Sequence, residues 1–417
     1  MGAIKVTATT SVSTKMRSAF YVDSSSLEMM TLDHDRSTDN GGHFERSPTD
    51  YSKIVNRNPP SLWRHYFNGF VDPVNNHLIV LFNSGDFIKK PEDDEPPEAL
   101  TLGYLRYMVS VDKGHSFLFN ERITQPDPID CTQPFDQVRL GSNGFTLGDE
   151  PCRPIRTQKG HILVPAQMTV FSETGKPEDF GNEVTKRNMG YFHALILIGT
   201  WQKDFRLKWQ AVEIVADRKA SSRGPDEGNP SSRGMFEPTL VELPSGKLLC
   251  VMRGSNGYKK DGKAEQPSRK WYSLSQDGGF TWTEPLPWGY SPEEPFFSPS
   301  STSQLIKHSN GRIYWIGNLT PTNCTLNEPR WPLVIGEVDP VSAMLIKETV
   351  TVIDNTPPEI INPGQNQIFQ ELSLSNFQAY EDRATHEIFL LANLARKPPV
   401  GSQNERTPML YRIDVSS

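Results

Sequence analysis

Apolar residues along this chain come in short runs, each interrupted by a tight polar turn. One pattern recurs: a strand, a polar turn, then a second, more apolar strand. It reads Val74-Asn75-Asn76-His77-Leu78-Ile79-Val80 and Gln158-Lys159-Gly160-His161-Ile162-Leu163-Val164. It returns as Pro244-Ser245-Gly246-Lys247-Leu248-Leu249-Cys250, Ser309-Asn310-Gly311-Arg312-Ile313-Tyr314-Trp315 and Ala384-Thr385-His386-Glu387-Ile388-Phe389-Leu390. The Asn-Asn, Lys-Gly, Ser-Gly and Asn-Gly pairs tolerate the positive φ that short hairpins require. Helical periodicity over long stretches is absent. The residues after the turns fall at 77, 161, 247, 312 and 387. Each interval is long enough for a four-stranded antiparallel sheet with its loops.

A second hairpin follows the first in two of these repeats. Ser275-Gln276-Asp277-Gly278-Gly279-Phe280-Thr281-Trp282 fits S-x-D-x-G-x-T-W in full, and Ser110-Val111-Asp112-Lys113-Gly114-His115-Ser116-Phe117 fits it with Ser and Phe in the last two places. The Asp can accept backbone N–H bonds across the turn, and the aromatic ring packs beneath it. Two hairpins in fixed order make a blade with strands A to D. In the third repeat these are Pro238 to Leu243, Lys247 to Arg253, Lys270 to Ser275, and a last strand from near Phe280. In the second, C is Tyr191 to Trp201 and D is Leu207 to Val215. A further hairpin at Ser18 to Leu32 brings the count to six, and pairing of Lys5–Thr10 with Leu410–Val415 would close the ring. The prediction is an all-β chain, one six-bladed β-propeller domain over 1–417. Seven blades of about 60 residues fit the length as well.

Six positions after each marker stand Asn83, Gln167, Arg253, Asn318 and Asn393. All are polar, directly after apolar strands, and blade geometry points such strand ends at one central funnel. Glu150-Pro151 and Glu237-Pro238 occupy matching strand starts, where a proline needs no N–H partner. The Arg64-His65-Tyr66 cluster sits at the corresponding end of the first repeat.

Composition narrows the function classes. The 417 residues carry a formal net charge of −7, which argues against a broad nucleic-acid surface. No run of 18 apolar residues is present, so no membrane span is expected. Residues Met1–Met16 lack the apolar run of a secretory leader. A leader removed earlier would favour a secreted or periplasmic protein, and otherwise a cytoplasmic one. Cys131, Cys152, Cys250 and Cys324 show no CxxC spacing, so they read as buried thiols rather than zinc ligands, with a Cys131–Cys152 disulfide as the minority alternative. No cofactor or metal is expected. A structural Ca²⁺ at the ring axis or at Glu92-Asp93-Asp94-Glu95 is left open, although that run reads better as a solvated loop.

On the two Asp turns and the stretch Phe236-Glu237-Pro238-Thr239-Leu240-Val241-Glu242-Leu243-Pro244-Ser245-Gly246-Lys247-Leu248-Leu249-Cys250-Val251-Met252-Arg253, the chain resembles the sialidase-like (Asp-box, BNR-repeat) six-bladed propellers. The resemblance implies a glycan substrate and exo-type cleavage of a glycosidic bond beside a carboxylate-bearing sugar, in a central pocket. It implies that Glu237 activates a nucleophile, that Asp86 serves as acid/base, and that Arg253 and Arg330 clamp the carboxylate, Arg269 competing with Arg330. Guanidinium groups suit that task because they bind carboxylates bidentately. For a first arginine, Arg57 and Arg64 are rough stand-ins. The nucleophilic Tyr expected near Leu372 to Phe377 is absent from that stretch, and Tyr380 lies close to the hairpin turn.

Related propellers include lyases and glycosidases of rhamnose–uronate linkages. Elimination needs a base, an acid and a cation on the uronate, and His65, Tyr66, Tyr191, His193 and Arg253 would supply them. Tyr191 and His193 share one face of strand C. A third alternative is a non-catalytic glycan-binding propeller using aromatic platforms and the Asn/Gln ring.

Overall fold

In the computed structural model, residues 4–31, 33–47, 62–86, 102–124, 144–171, 190–214, 231–256, 266–355, 372–396 and 405–416 are described. For Arg64, His65, Tyr66, Asp86 and Asn393 the description covers the backbone. Cys131, Arg57 and the Glu92–Glu95 run lie outside the described residues.

Six antiparallel sheets follow one another along the chain as the blades of a propeller. Blade 1 holds Phe20–Tyr21, Met29–Met30, Asp35–Ser37 and Glu45–Arg46. Blade 2 holds Leu62–Val71, Leu78–Asp86, Gly103–Ser110 and Phe119–Arg122. In blade 3 the inner strand is split into Phe145–Leu147 and Ile155–Arg156, followed by Ile162–Thr169, Phe192–Trp201 and Leu207–Ile214. Blade 4 holds Phe236–Glu242, Leu248–Arg253, Lys270–Ser275 and Leu286–Pro287. Blade 5 holds Gln304–Lys307, Ile313–Asn318, Leu333–Glu337 and Thr351–Asp354. Blade 6 has a split inner strand, Leu372–Ser373 and Phe377–Glu381, then Ile388–Arg396 and Glu405–Asp414.

The fourth strand of blade 6 is Lys5–Ser11, from the other end of the chain, paired with Glu405–Asp414. The expected ring closure is therefore present, and the blade number is six. One expectation shifts: strand D of blade 4 begins at Leu286, not near Phe280, because Phe280–Trp282 are still inside the Asp turn.

The second strands read as solid apolar runs because both faces of each blade are buried. Leu78, Val80 and Phe82 pack with Phe20, Val22 and Met30 of blade 1. Their neighbours Ile79 and Leu81 face the other way, onto Leu195, Leu197 and Trp209 of blade 3. Equivalent clusters join blades 3 and 4, 4 and 5, 5 and 6, and 6 and 1.

The Asp turns behave as their chemistry demands. Asp277 Oδ1 accepts from the N–H groups of Phe280 and Thr281, both at 3.0 Å, while Ser275 Oγ accepts from Gly279 N at 2.9 Å. Asp112 Oδ1 and Ser110 Oγ repeat this with Ser116 N and Gly114 N. Blade 1 contains a third copy that the sequence reading missed. Asp39 Oδ1 accepts from His43 N at 2.9 Å, and Ser37 Oγ accepts from Gly41 N at 2.9 Å. His43 stands where Thr281 stands in blade 4, which hid the match. These turns join strands C and D and lie at one end of the propeller. The starts of strands A and C and the ends of strands B lie at the other.

Candidate active site

The end opposite the Asp turns holds Glu237, Arg253, Lys270 and Arg330, beside irregular inner strands. Every inner strand from blade 2 to blade 4 breaks register near this end. The shift falls between Tyr66 and Asn68 in blade 2, at the gap between Leu147 and Ile155 in blade 3, and between Phe236 and Thr239 in blade 4. Such bulges re-aim side chains and cluster beside functional sites.

Glu237 sits in the blade 4 bulge with φ of +45°. That backbone is unfavourable for a residue with a Cβ and persists only where its surroundings impose it. Two contacts do so. Gln167 Oε1 accepts from Glu237 N at 3.0 Å, and a glycine at 148 lets the inner strand of blade 3 approach. A Cβ on Gly148 would stand 3.1 Å from Glu237 Cα and 2.4 Å from Cys152 Sγ.

Arg253, at the end of the next strand, holds the Glu237 carboxylate. Its Nη1 donates to Oε1 at 2.7 Å and to Oε2 at 2.8 Å. Its Nε donates to Ser300 Oγ at 3.0 Å, its Nη2 to Asn327 Oδ1 at 3.2 Å, and its plane covers the Phe236 ring at 4.7 Å. The guanidinium is thus fixed from every edge.

Arg330 approaches from blade 5, just ahead of strand Leu333–Glu337. Its Nη1 donates to Ser375 Oγ at 2.8 Å and to Asn376 Oδ1 at 3.4 Å. Its Nε is buried without a hydrogen-bond partner. Among the described residues no carboxylate lies within ion-pair distance of it. Burial, then the neighbouring Arg253 charge, push its pKa below the usual arginine range, while Glu328, Glu237 and Asp149 oppose them. Arg253 thus has a carboxylate partner in Glu237, and Arg330 has none within ion-pair distance among the described residues. Arg269, the competitor, lies over Phe297 at 4.4 Å and donates to Pro295 O at 3.0 Å.

The recurring polar position has a second job. Asn83 Oδ1 accepts from Leu147 N at 2.7 Å, Gln167 from Glu237 N, and Asn318 Nδ2 donates to Leu374 O at 3.2 Å. Each ties its own blade to the inner strand of the next, as Arg253 does through Ser300. The register read from the sequence is real, and in these four blades it stitches neighbours together.

Glu150 falls in the break of the blade 3 inner strand, where its N–H donates to Asp149 Oδ1 at 2.7 Å. Arg153, from the same loop, reaches across the ring to blade 6, donating from Nη2 to Gln378 Oε1 at 2.7 Å. Sequence reasoning passed over Arg153. It also passed over Lys270, although Lys270 is the direct cross-strand partner of Arg253.

Tyr191 and His193 are buried with ring centroids 5.7 Å apart, and His193 Nδ1 contacts Glu213 Oε1. They share the strand face of Leu195 and Leu197, which packs on blade 2. Arg253 instead turns to blade 5, so this pair and the guanidinium cluster stand on different blade faces. His65 lies opposite Asn83 in backbone register, and Asp86 opposite Leu62. Asn393 lies opposite Pro408.

Cys152, Cys250 and Cys324 are free and buried. Among the described residues no cluster of three or more His, Cys, Asp or Glu could hold a metal ion, and no helix is long and apolar enough to cross a membrane.

No family model matches the chain, and no curated protein matches it in sequence. Solved structures do match in shape. A protein of unknown function from Dyadobacter fermentans DSM 18053 is 11% identical with a TM-score of 0.56, over 99% of this chain and 100% of that one. The Hadza microbial sialidase Hz136 is 13% identical with a TM-score of 0.52, over 95% of this chain and 65% of that one. The chain thus spans about two thirds of the length of that sialidase. With six four-stranded blades in the same arrangement, it has the fold of the sialidase-like β-propellers.

Proposed function

We propose that the protein is a carbohydrate-active enzyme that captures the carboxylate of an acidic sugar between Arg253 and Arg330 and cleaves the adjacent glycosidic bond by hydrolysis. The observation that carries this reading is Arg330, a half-buried cation beside Arg253 with a buried Nε that lacks an acceptor and no carboxylate partner among the described residues. A site arranged in this way is complete only with an anion in it. Glu237, strained and gripped by Arg253, is placed to act as the anionic partner of a nucleophile or of positive charge developing on the sugar ring. Asp86 remains the proposed acid/base, on the resemblance alone. Arg64, on the inner strand of blade 2, is the proposed additional clamp, and Tyr66 on the same strand belongs to the elimination reading below.

A second reading is elimination on a uronate, favoured by the buried His193–Glu213 contact beside Tyr191. A carboxylate on one ring nitrogen fixes the tautomer and leaves the other nitrogen for proton transfer.

The deciding experiment is a degradation screen over sialosides and uronate-containing polysaccharides, read at about 235 nm and by reducing ends. Reducing ends without new absorbance support hydrolysis. An absorbance rise supports elimination. Silence in both, with measurable glycan binding, replaces either reading with a binding propeller.

A further inference from the structure

We infer that Lys270 is a positioning residue that holds the buried Ser298–Ser303 turn, and with it Arg253, and that its buried amine, which has no carboxylate within ion-pair distance among the described residues, couples anion capture at this site to protonation. This rests on the reading of the Arg253–Arg330 cluster as an anion pocket.

Lys270 opens strand C of blade 4 directly opposite Arg253, so the two side chains leave the same face of the sheet. It is 0% exposed. Its Nζ donates to Ser301 O and, at 3.5 Å, to Pro299 O. Between those two carbonyls stands Ser300, whose hydroxyl accepts from Arg253 Nε. The turn is also tied to blade 5, through Ser298 Oγ to Asn318 O at 2.8 Å and Ser300 N to Leu326 O at 2.7 Å, to the segment ahead of Lys270 through Ser298 N to Ser268 O at 3.3 Å, and to blade 6 through Asn376 N to Thr302 Oγ1 at 3.3 Å. Lys270 is therefore the side-chain anchor from blade 4 that spans Pro299 and Ser301, on either side of the residue that seats Arg253.

The amine is also a charge without a counter-ion. The charged and titratable groups facing it are Arg253, Glu237, Arg330 and the Cys324 thiol. Among the described residues no carboxylate lies within ion-pair distance of its Nζ. Burial first, then Arg253, opposed by Glu237, with Arg330 adding less and Cys324 opposing least, bring its pKa down from 10.5 to about 7. A folded value below the unfolded one makes the charged amine destabilising, in full below about 7, with relief as pH rises toward 10.5. Such a group is a poor choice for stability alone. An anion seated between Arg253 and Arg330 would favour its protonated form, and by linkage protonation would favour the anion.

The test uses the whole chain, with N-acetylneuraminate and glucuronate as probes, in two arms. Calorimetric titration from pH 5.5 to 8.5 should give a Kd that rises about tenfold per unit above neutrality if only the charged amine supports binding. Lys270→Gln keeps an N–H donor and should flatten that slope. Hydrogen exchange over residues 297–304, without ligand, should quicken in Lys270→Met and stay near wild type in Lys270→Gln. A wild-type Kd independent of pH, or a slope surviving in Lys270→Gln, overturns the pH dependence. Unchanged exchange in Lys270→Met overturns the anchor. If wild type binds neither probe at any pH, the acidic-sugar reading fails and the pH claim with it, while the exchange arm still decides the anchor. Should Lys270→Met not fold, wild-type protection factors over residues 297–304, corrected for the intrinsic pH dependence of amide exchange, are compared at pH 6 and pH 8.5 instead, with lower protection expected at the higher pH and equal protection overturning the anchor.

Discussion

Arg253 Nη1 lies 2.7 and 2.8 Å from the two carboxylate oxygens of Glu237, a residue held at positive φ in the bulge opposite it. Both side chains are largely buried, at 8% and 13% exposure. Removing one partner leaves the other as an unpaired charge in a poorly hydrated place. Arg253→Met should therefore cost on the order of 3 kcal/mol in denaturant unfolding and abolish anion binding. Arg253→Met/Glu237→Gln should recover much of the stability and none of the binding. If the double variant is no more stable than the single one, the ion pair is not what Arg253 contributes.

Gly148 is the second determinant of the Glu237 backbone. A methyl group there would overlap Cys152 Sγ, and the thiol has little room to move because it is itself buried. Gly148→Ala should destabilise by about 1–3 kcal/mol. Gly148→Ala/Cys152→Ala should regain part of that. Urea midpoints of the three proteins check this, and full stability in Gly148→Ala would show that the two inner strands separate at little cost.

The parts of this molecule visible in the sequence are those set by local chemistry. Hairpin turns and alternating apolar positions mark strand Lys270–Ser275 to the residue, and the pairing of the two terminal strands is legible in the same pattern. The recurring position of Asn83, Gln167, Arg253 and Asn318 was visible too, but its partners were not, since each reaches into the following blade. Glu237 was legible as a residue and illegible as a conformation, because its φ is imposed by Gln167 and Gly148 from another blade. Arg153 hid for the same reason: its acceptor Gln378 lies far along the chain, on the opposite side of the ring. The Ser37–Phe44 turn was missed on different grounds, a single His in place of Thr.

The three Asp turns predict a specific acid response. Burial alone would raise the Asp277 carboxyl, but the Thr281 hydroxyl and amide, then Ser275 and Phe280, outweigh it and hold the group below the usual range. Asp112 is held down in the same way by Ser116 and Ser110. A depressed folded value means stability that is present above the ordinary carboxylate pKa and is lost as pH falls through the folded one. Asp277→Asn should cost about 1–2 kcal/mol at pH 7. The gap from wild type should narrow as pH drops below about 4. Thermal midpoints at pH 7, 4 and 3 test it, and a gap that stays constant would mean that the Asp277 charge has no part in the turn.

Arg330 makes the opposite prediction to Arg253 for stability and the same one for binding. It has hydrogen bonds to Ser375 and Asn376 but no ion pair among the described residues, and its Nε is buried without an acceptor. A cation in that state is a liability in the empty protein, and an apolar side chain of similar length is expected to be neutral or stabilising. Arg330→Met should keep or raise the thermal midpoint while losing affinity for N-acetylneuraminate or glucuronate by about a hundredfold, the loss of one charge-assisted bidentate contact. The pairing of those two results is what separates a ligand-binding arginine from a structural one. A midpoint that fell by several degrees, with affinity intact, would make Arg330 a blade tie like Asn83, and the anion pocket would have to be built from other residues.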